Sequence, residues 1–182
     1  AYDPKAIKAR SLPARIYYSN PKPEASVEDV YRDIKTFAFR DMDAKNGPIK
    51  GLIDQGNYML CLQPYAVTPL IYSSDAFVST AVGAIQTTAG DVYPTNEVPI
   101  STYGPSQKSA IVRGTNQNGN TATYWYSGWS KKLCRYGHDG LSVLSDVFGF
   151  RTALYNNMSP DSTTEFGVTL GWRAANNQLY VC

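Results

Sequence analysis

A single histidine, three cysteines and few carboxylates limit the chemistry open to this chain. His138 is its sole imidazole, so a serine or cysteine hydrolase built on histidine would have to use it. Cys134 and Asp139 lie beside it in Cys134–Gly140 (CRYGHDG). That stretch reads as a turn, and a triad is defined by spatial roles that neighbours in a turn do not supply. His138 is therefore read as a surface turn residue. No CxxC, HxH or HExxH spacing occurs, which argues against a closed zinc site. Asp41–Gly47 (DMDAKNG) starts like a calcium loop, but Lys45, Asn46 and Leu52 stand where an EF-hand needs a ligand, a glycine and a glutamate. The phosphate-cradling glycine patterns are missing as well. A carboxylate pair in the later part of the chain would have to come from Asp75, Asp91, Glu97, Asp139, Asp146, Asp161 and Glu165. The expectation is a protein that is not an enzyme, with no catalytic residues, no metal and no cofactor.

The most distinctive segment is Tyr124-Trp125-Tyr126-Ser127-Gly128-Trp129, followed by Lys131, Lys132 and Arg135. On a strand, Tyr124 and Tyr126 face one way and Trp125 the other. If only one face meets the core, aromatic rings emerge beside cations on the opposite face. Such a surface stacks on sugars, sits at a lipid headgroup layer or anchors a protein interface. The competing reading, equally weighted, is a sheet covered on both faces. A second set of cations, Lys5, Lys8, Arg10 and Arg15, lies among prolines near the start and would touch an acidic neighbour. A run this modest is better read as a packed or solvated arm than as a nucleic-acid contact.

Cys61, Cys134 and Cys182 cannot all pair within one chain. Cys61 sits in an apolar run and reads as a small buried hydrophobe. In an oxidising compartment Cys134 and Cys182 are the candidate disulfide, which would pin the C-terminus. In a reducing one all three stay thiols. Asn157-Met158-Ser159 has the form of a glycosylation acceptor, but the following Pro160 removes its weight.

These residues need a frame. Pro4, Pro13, Pro21 and Pro23 fix φ and remove donors, so residues 1–24 read as an extended basic arm, with Ala14–Ser19 as a short strand. A helix is expected over about 27–45: Ser26 is a natural N-cap, with Asp29 three positions on. Val27, Val30, Tyr31, Ile34, Phe37, Ala38 and Met42 would line one face, and Asn46-Gly47-Pro48 would stop it. Short β-branched and aromatic runs follow at Tyr58–Gln63, Tyr65–Ser73 and Ala76–Thr88, the last open to a helical reading. Gly90–Pro105 reads as a long loop. Thr115–Asn120, with its Asn-Gly, joins Ser109–Arg113 to Thr121–Ser127 as a hairpin. Ala174–Asn177 joins Glu165–Arg173 to Gln178–Cys182 as a second, terminal one. The fold class expected is α+β and mostly β: an antiparallel β-sandwich or curled sheet with one amphipathic N-terminal helix. Residues 25–182 would form a single β-rich domain that begins with this helix.

Composition narrows the function classes. Only 18% of residues are charged while 14 are tyrosine, which excludes a disordered chain. No apolar run approaches the roughly 18 residues of a membrane-spanning helix, so an integral membrane helix is not expected. The formal charge of +2 lies wholly in residues 1–60, with ten basic and eight acidic side chains; residues 61–182 carry seven of each. The later region is neutral and rich in hydroxyl groups, a composition that resembles virion coat and fibre proteins. Trp125–Trp129 resembles the aromatic segment of actinoporin-type membrane lysins. The expected helix before a sheet, with a terminal Cys182, resembles type IV pilin-like proteins, although a basic proline-bearing arm replaces their long hydrophobic helix. The leading expectation is an extracellular, cell-surface or virion-type structural subunit, coat-, fibre- or pilus-like. It would assemble with itself or with partners through its arm, terminal hairpin and aromatic surface. The alternative is a secreted adhesion module that binds carbohydrate or lipid through Tyr124–Trp129.

Overall fold

A computed structural model describes residues 11–19, 34, 36–56, 58–71, 77–80, 83–86, 98–115, 119–157 and 167–182. It divides into two compact units, Ala1–Pro48 and Ile49–Cys182. Among the described residues it is mostly strand, and every strand pair is antiparallel.

In the first unit β1 (Arg15–Tyr17) pairs with β2 (Phe39–Asp41), placing Arg15 opposite Asp41. The expected short strand within Ala14–Ser19 is present. The expected helix over 27–45 is not what occupies its second half. Residues 39–41 are extended, and a single 3-10 turn at Ala44–Asn46 follows, with the Asp43 carboxylate accepting from the Lys45 N–H at 2.9 Å. Phe37 and Ile34, assigned to the buried helix face, are exposed at 87% and 54%, whereas Met42 is buried. Residues 27–33 of the expected helix lie outside the described residues, as do Lys5, Lys8 and Arg10 of the arm. The physical reason for the change is cross-strand pairing. Arg15 grips Asp41 through two bonds of 2.6 and 2.7 Å, and its guanidinium lies 3.7 Å from the Phe39 ring centroid. A paired backbone with a forked ion pair and an aromatic contact outweighs the few tenths of a kcal/mol per residue by which helix propensities differ.

The second unit is built from hairpins. β3 (Gly51–Asp54), β4 (Tyr58–Gln63) and β5 (Ala66–Ile71) form a three-stranded sheet, and β6 (Phe77–Thr80) pairs with β7 (Gly83–Gln86). The run 76–88, open to either reading, is thus extended over its described residues. β8 (Ile111–Thr115), β9 (Thr121–Ser127), β10 (Lys132–Gly137) and β11 (Gly140–Val143) form a four-stranded sheet in the order β11-β10-β9-β8. β12 (Leu170–Arg173) and β13 (Gln178–Val181) form the terminal hairpin. Both hairpins expected from their Asn-rich turns are present. Gly119 takes φ +79° in the first turn and Asn177 takes φ 51° in the second, the left-handed region that glycine and asparagine tolerate. Two short helices, α1 (Leu144–Val147) and α2 (Arg151–Asn157), follow β11.

Two apolar clusters lie on opposite faces of the four-stranded sheet. Register sets the division: Ile111, Trp125, Cys134 and Val143 form one cross-strand row, and Val112, Tyr124, Arg135 and Ser142 form the next. The first row packs with Leu60, Leu62 and Val67 of the three-stranded sheet. On the other face Tyr124, Tyr126 and Leu133 meet Leu170, Trp172 and Leu179 of the terminal hairpin, with Leu144 and Leu154 of the helices. The central sheet is therefore covered on both sides, the two-sided alternative weighed from the sequence.

Candidate functional site

Burial of both faces decides the fate of the aromatic segment. Trp125 is 0% exposed, Tyr126 2% and Tyr124 6%. These three pack into the two apolar clusters, so none of them is a freely exposed ring of the expected aromatic surface. Burial pushes the Tyr126 hydroxyl up to about 12 and raises Tyr124 in the same direction. The Tyr124 hydroxyl donates to the Thr115 carbonyl at 2.8 Å and Trp125 Nε1 donates to the Tyr103 carbonyl, whereas the buried Tyr126 hydroxyl has no hydrogen-bond partner among the described residues.

Trp129 alone of the four rings reaches the surface, at 48% exposure. It belongs to the four-residue turn between β9 and β10, which closes with Lys131 at φ 53°. Its Nε1 donates to the Pro64 carbonyl at 3.1 Å, which ties this turn to the one between β4 and β5. The ring of Tyr65, from that second turn, lies 6.0 Å from that of Trp129, and the Tyr103 ring lies 5.9 Å from it. Lys132 places its ammonium 4.0 Å from the Tyr103 ring centroid, within cation–π range. The result is a small aromatic patch held in a fixed geometry, of which Tyr65 is 54% exposed. Sequence reading missed Tyr65 and Tyr103 because they lie far from Trp129 along the chain. The only signal was that both sit in turn-rich, proline-bearing stretches.

The cations of the segment separate. Lys131 is buried, with its ammonium 5.7 Å from the Tyr155 ring centroid. Lys132 pairs with Asp146 at 3.5 Å, and Arg151 approaches the same carboxylate at 3.8 Å. Arg135 pairs with Asp139 across the β10–β11 turn. Both described carboxylates of the later region are thus engaged with cations. His138 is exposed at the same turn, as expected. Arg15 of the arm is held by Asp41, whose carboxylate raises its pKa and fixes its charge.

No disulfide joins Cys134 and Cys182, the candidate pair for an oxidising compartment. All three cysteines are thiols: Cys61 and Cys134 are buried, and Cys182 is exposed. The reason is topological, since Cys134 points into the cluster beside Trp125 on the face turned away from the terminal hairpin. Burial pushes its thiol up to about 12, which keeps it protonated at neutral pH. Among the described residues no three His, Cys, Asp or Glu side chains gather into a metal site, and no helix is long and apolar enough to cross a membrane.

A cleft of about 330 Å³ opens on the hairpin side of the central sheet. Tyr124 and Trp172, stacked with centroids 5.3 Å apart and planes at 17°, line it together with Arg135, Phe148 and Asn177. Gly114 admits the Trp172 ring, because a Cβ there would overlap the indole. A glycine inside a strand pattern is the sequence signal that would have found this close approach.

Comparison with family models supplies what geometry alone does not. The model of the crassvirus muzzle protein matches residues 2–182. The chain belongs to the crassvirus muzzle protein family. Membership of this virion structural family agrees with the coat- and fibre-like composition, and a subunit of such a structure assembles with other subunits. A search of curated proteins found no match.

Proposed function

We propose that this protein is a non-enzymatic structural subunit of a phage virion, and that it holds neighbouring subunits through the Tyr65–Trp129–Tyr103 patch, the basic arm and the terminal hairpin β12–β13. The family match over residues 2–182 carries the reading. Three further features support it. The Trp129 indole is tied to the Pro64 carbonyl and lies against two tyrosine rings, and Trp and Tyr dominate the energetics of protein interfaces. Residues 61–182 balance seven cations against seven anions, so association there rests on shape, rings and hydrogen bonds rather than on net charge. Among the described residues β13 is paired with β12 alone, which leaves its other edge a natural place for a further strand.

Mass spectrometry of gradient-purified particles tests the reading. The chain is expected at a fixed copy number per particle, resistant to washing at high salt. Presence in infected cells but absence from particles would overturn it. A Tyr65→Ala, Trp129→Ala pair is expected to leave the fold intact and to lower incorporation into particles by about tenfold or more, the effect of losing one interface anchor of roughly 1.4 kcal/mol or more.

A further inference from the structure

The terminal hairpin leaves one row of backbone groups facing outward. Thr169 and Cys182 exchange N–H···O bonds of 2.9 and 3.0 Å, which makes them a hydrogen-bonded pair. The register alternates from there through Gly171↔Tyr180 to Arg173↔Gln178, so Gln178, Tyr180 and Cys182 turn their N–H and C=O groups toward β12. Leu179 and Val181 turn theirs to the outer edge, where no described strand is paired. The side chains of these two residues pack against the cluster under the hairpin. Tyr180 stands 45% exposed on the opposite face and donates its hydroxyl to Gln178 Oε1 at 3.0 Å. This edge lacks the devices that discourage pairing. At other sheet edges β3 carries Asp54, β8 carries Arg113, and β5 carries Pro69 and is bonded at Val67 to Ile100 and Ser101. Gln178–Val181 (QLYV) holds no charge, proline, glycine or bulge.

We propose that β13 pairs with β13 of a second copy of this chain, antiparallel across a two-fold axis at Tyr180. The pairing deepens the reading of this hairpin as a contact, and rests on that reading for its place in the virion. The strand's own pattern selects the occupant. With the two Tyr180 residues opposite each other, Leu179 faces the second copy's Val181, and Val181 faces its Leu179. Every open N–H and C=O on both strands then finds a partner, as a two-fold contact between identical surfaces requires. Sliding the strands by one residue sets outward groups against groups already bonded to β12. Sliding by two takes one open residue of each strand out of the pairing. In the favoured register the Tyr180 rings meet at a non-hydrogen-bonded position, where Cα atoms approach to about 4.5 Å and aromatic pairs add stability. No like charges oppose each other along the two strands.

Disulfide trapping of the full chain tests the register. With Cys182→Ser removing the exposed thiol, Tyr180→Cys is expected to yield a linked dimer on mild oxidation. Gln178→Cys in the same background is not, because its two copies lie about 13 Å apart along the strands. With Cys182 kept, Gln178→Cys should link, since those positions face each other across the pair. Sedimentation tests the pairing without a covalent bond. Tyr180→Lys and Tyr180→Glu should each weaken self-association about fivefold, and an equimolar mixture of the two should restore it. Recovery in the mixture requires folded chains, so it separates lost pairing from lost folding. No link at 180, equal linking at 178 and 180 in the Cys182→Ser chain, or a mixture no tighter than either variant overturns the pairing and leaves the virion reading standing. A Tyr180→Cys link in particles to a different virion chain overturns the second copy as occupant. Register-specific linking of a chain that is absent from purified particles overturns the virion reading, not the pairing.

Discussion

The two faces of the central sheet carry the same kind of residue to different ends. Toward the three-stranded sheet, Trp125, Cys134 and Tyr136 are fully enclosed. Toward the terminal hairpin, Tyr124 and Trp172 stack just as closely but border an open cleft. The difference lies in the cover. β3–β5 offers a sheet broad enough to match the one beneath it. A two-stranded hairpin and two helices of four and seven residues are too small to do so, and leave a hollow where Arg135 surfaces. Rings lined up by one strand thus become sealed core or accessible wall according to what packs above them.

The largest test of this contrast is Trp125→Ala. On the sealed face it should cost about 3–5 kcal/mol in urea unfolding, because the hole has nothing to collapse into it. A loss under about 1 kcal/mol would mean that the face is not sealed. Next comes Gly114→Ala on the cleft side, expected to cost about 1–3 kcal/mol by forcing the Trp172 ring from its seat. Trp172→Leu in the same chain should recover part of that loss; no recovery would place the strain elsewhere.

An alkaline titration sharpens the contrast further. The Cys134 thiol stands at about 12 in the folded chain against an ordinary 9.0, so the unfolded chain releases this proton first as pH rises. Its contribution to stability is full below pH 9.0 and drains away as the pH approaches about 12. Cys134→Val should flatten that part of the stability profile, and an unchanged profile would count against burial as the cause. In the native protein a thiol reagent should label Cys182 at once and reach Cys61 and Cys134 only on unfolding. The smallest effect on stability belongs to Trp129→Ala, within about 0.5 kcal/mol, since the ring lies outside both clusters. A loss comparable with that of Trp125→Ala would make Trp129 a core residue after all.

The strands were legible where their signals were local. Tyr58–Gln63 reads as a buried strand from its unbroken apolar run, and β4 has the same bounds. Asn-Gly at 118–119 and Asn176-Asn177 mark the two hairpin turns, because left-handed backbone demands such residues. The helix expected over 27–45 shows the limit of that approach. Its apolar spacing is compatible with a helix, but Asp41 finds Arg15 across 26 residues, and no window along the chain can sense that pairing.

The candidate sites were legible only in part. Trp129 stood out by type, whereas Tyr65, Tyr103 and the Pro64 carbonyl that complete its patch come from other turns. Arg135 stood out as a cation, but Trp172, which makes it part of a cleft, belongs to the last hairpin.

By itself the amino-acid sequence determined the class of molecule: a β-rich, weakly charged chain without catalytic or metal-binding spacing, its net charge confined to the first 60 residues. Those properties follow from composition and from contacts between near neighbours. Tertiary structure alone decided which aromatic residues are core and which are surface, and kept Cys134 apart from Cys182. Strand alternation fixes only that Trp125 and Tyr124 point in opposite directions. Which of those directions meets another sheet, and which meets a hairpin too small to close it, depends on segments distant in the chain.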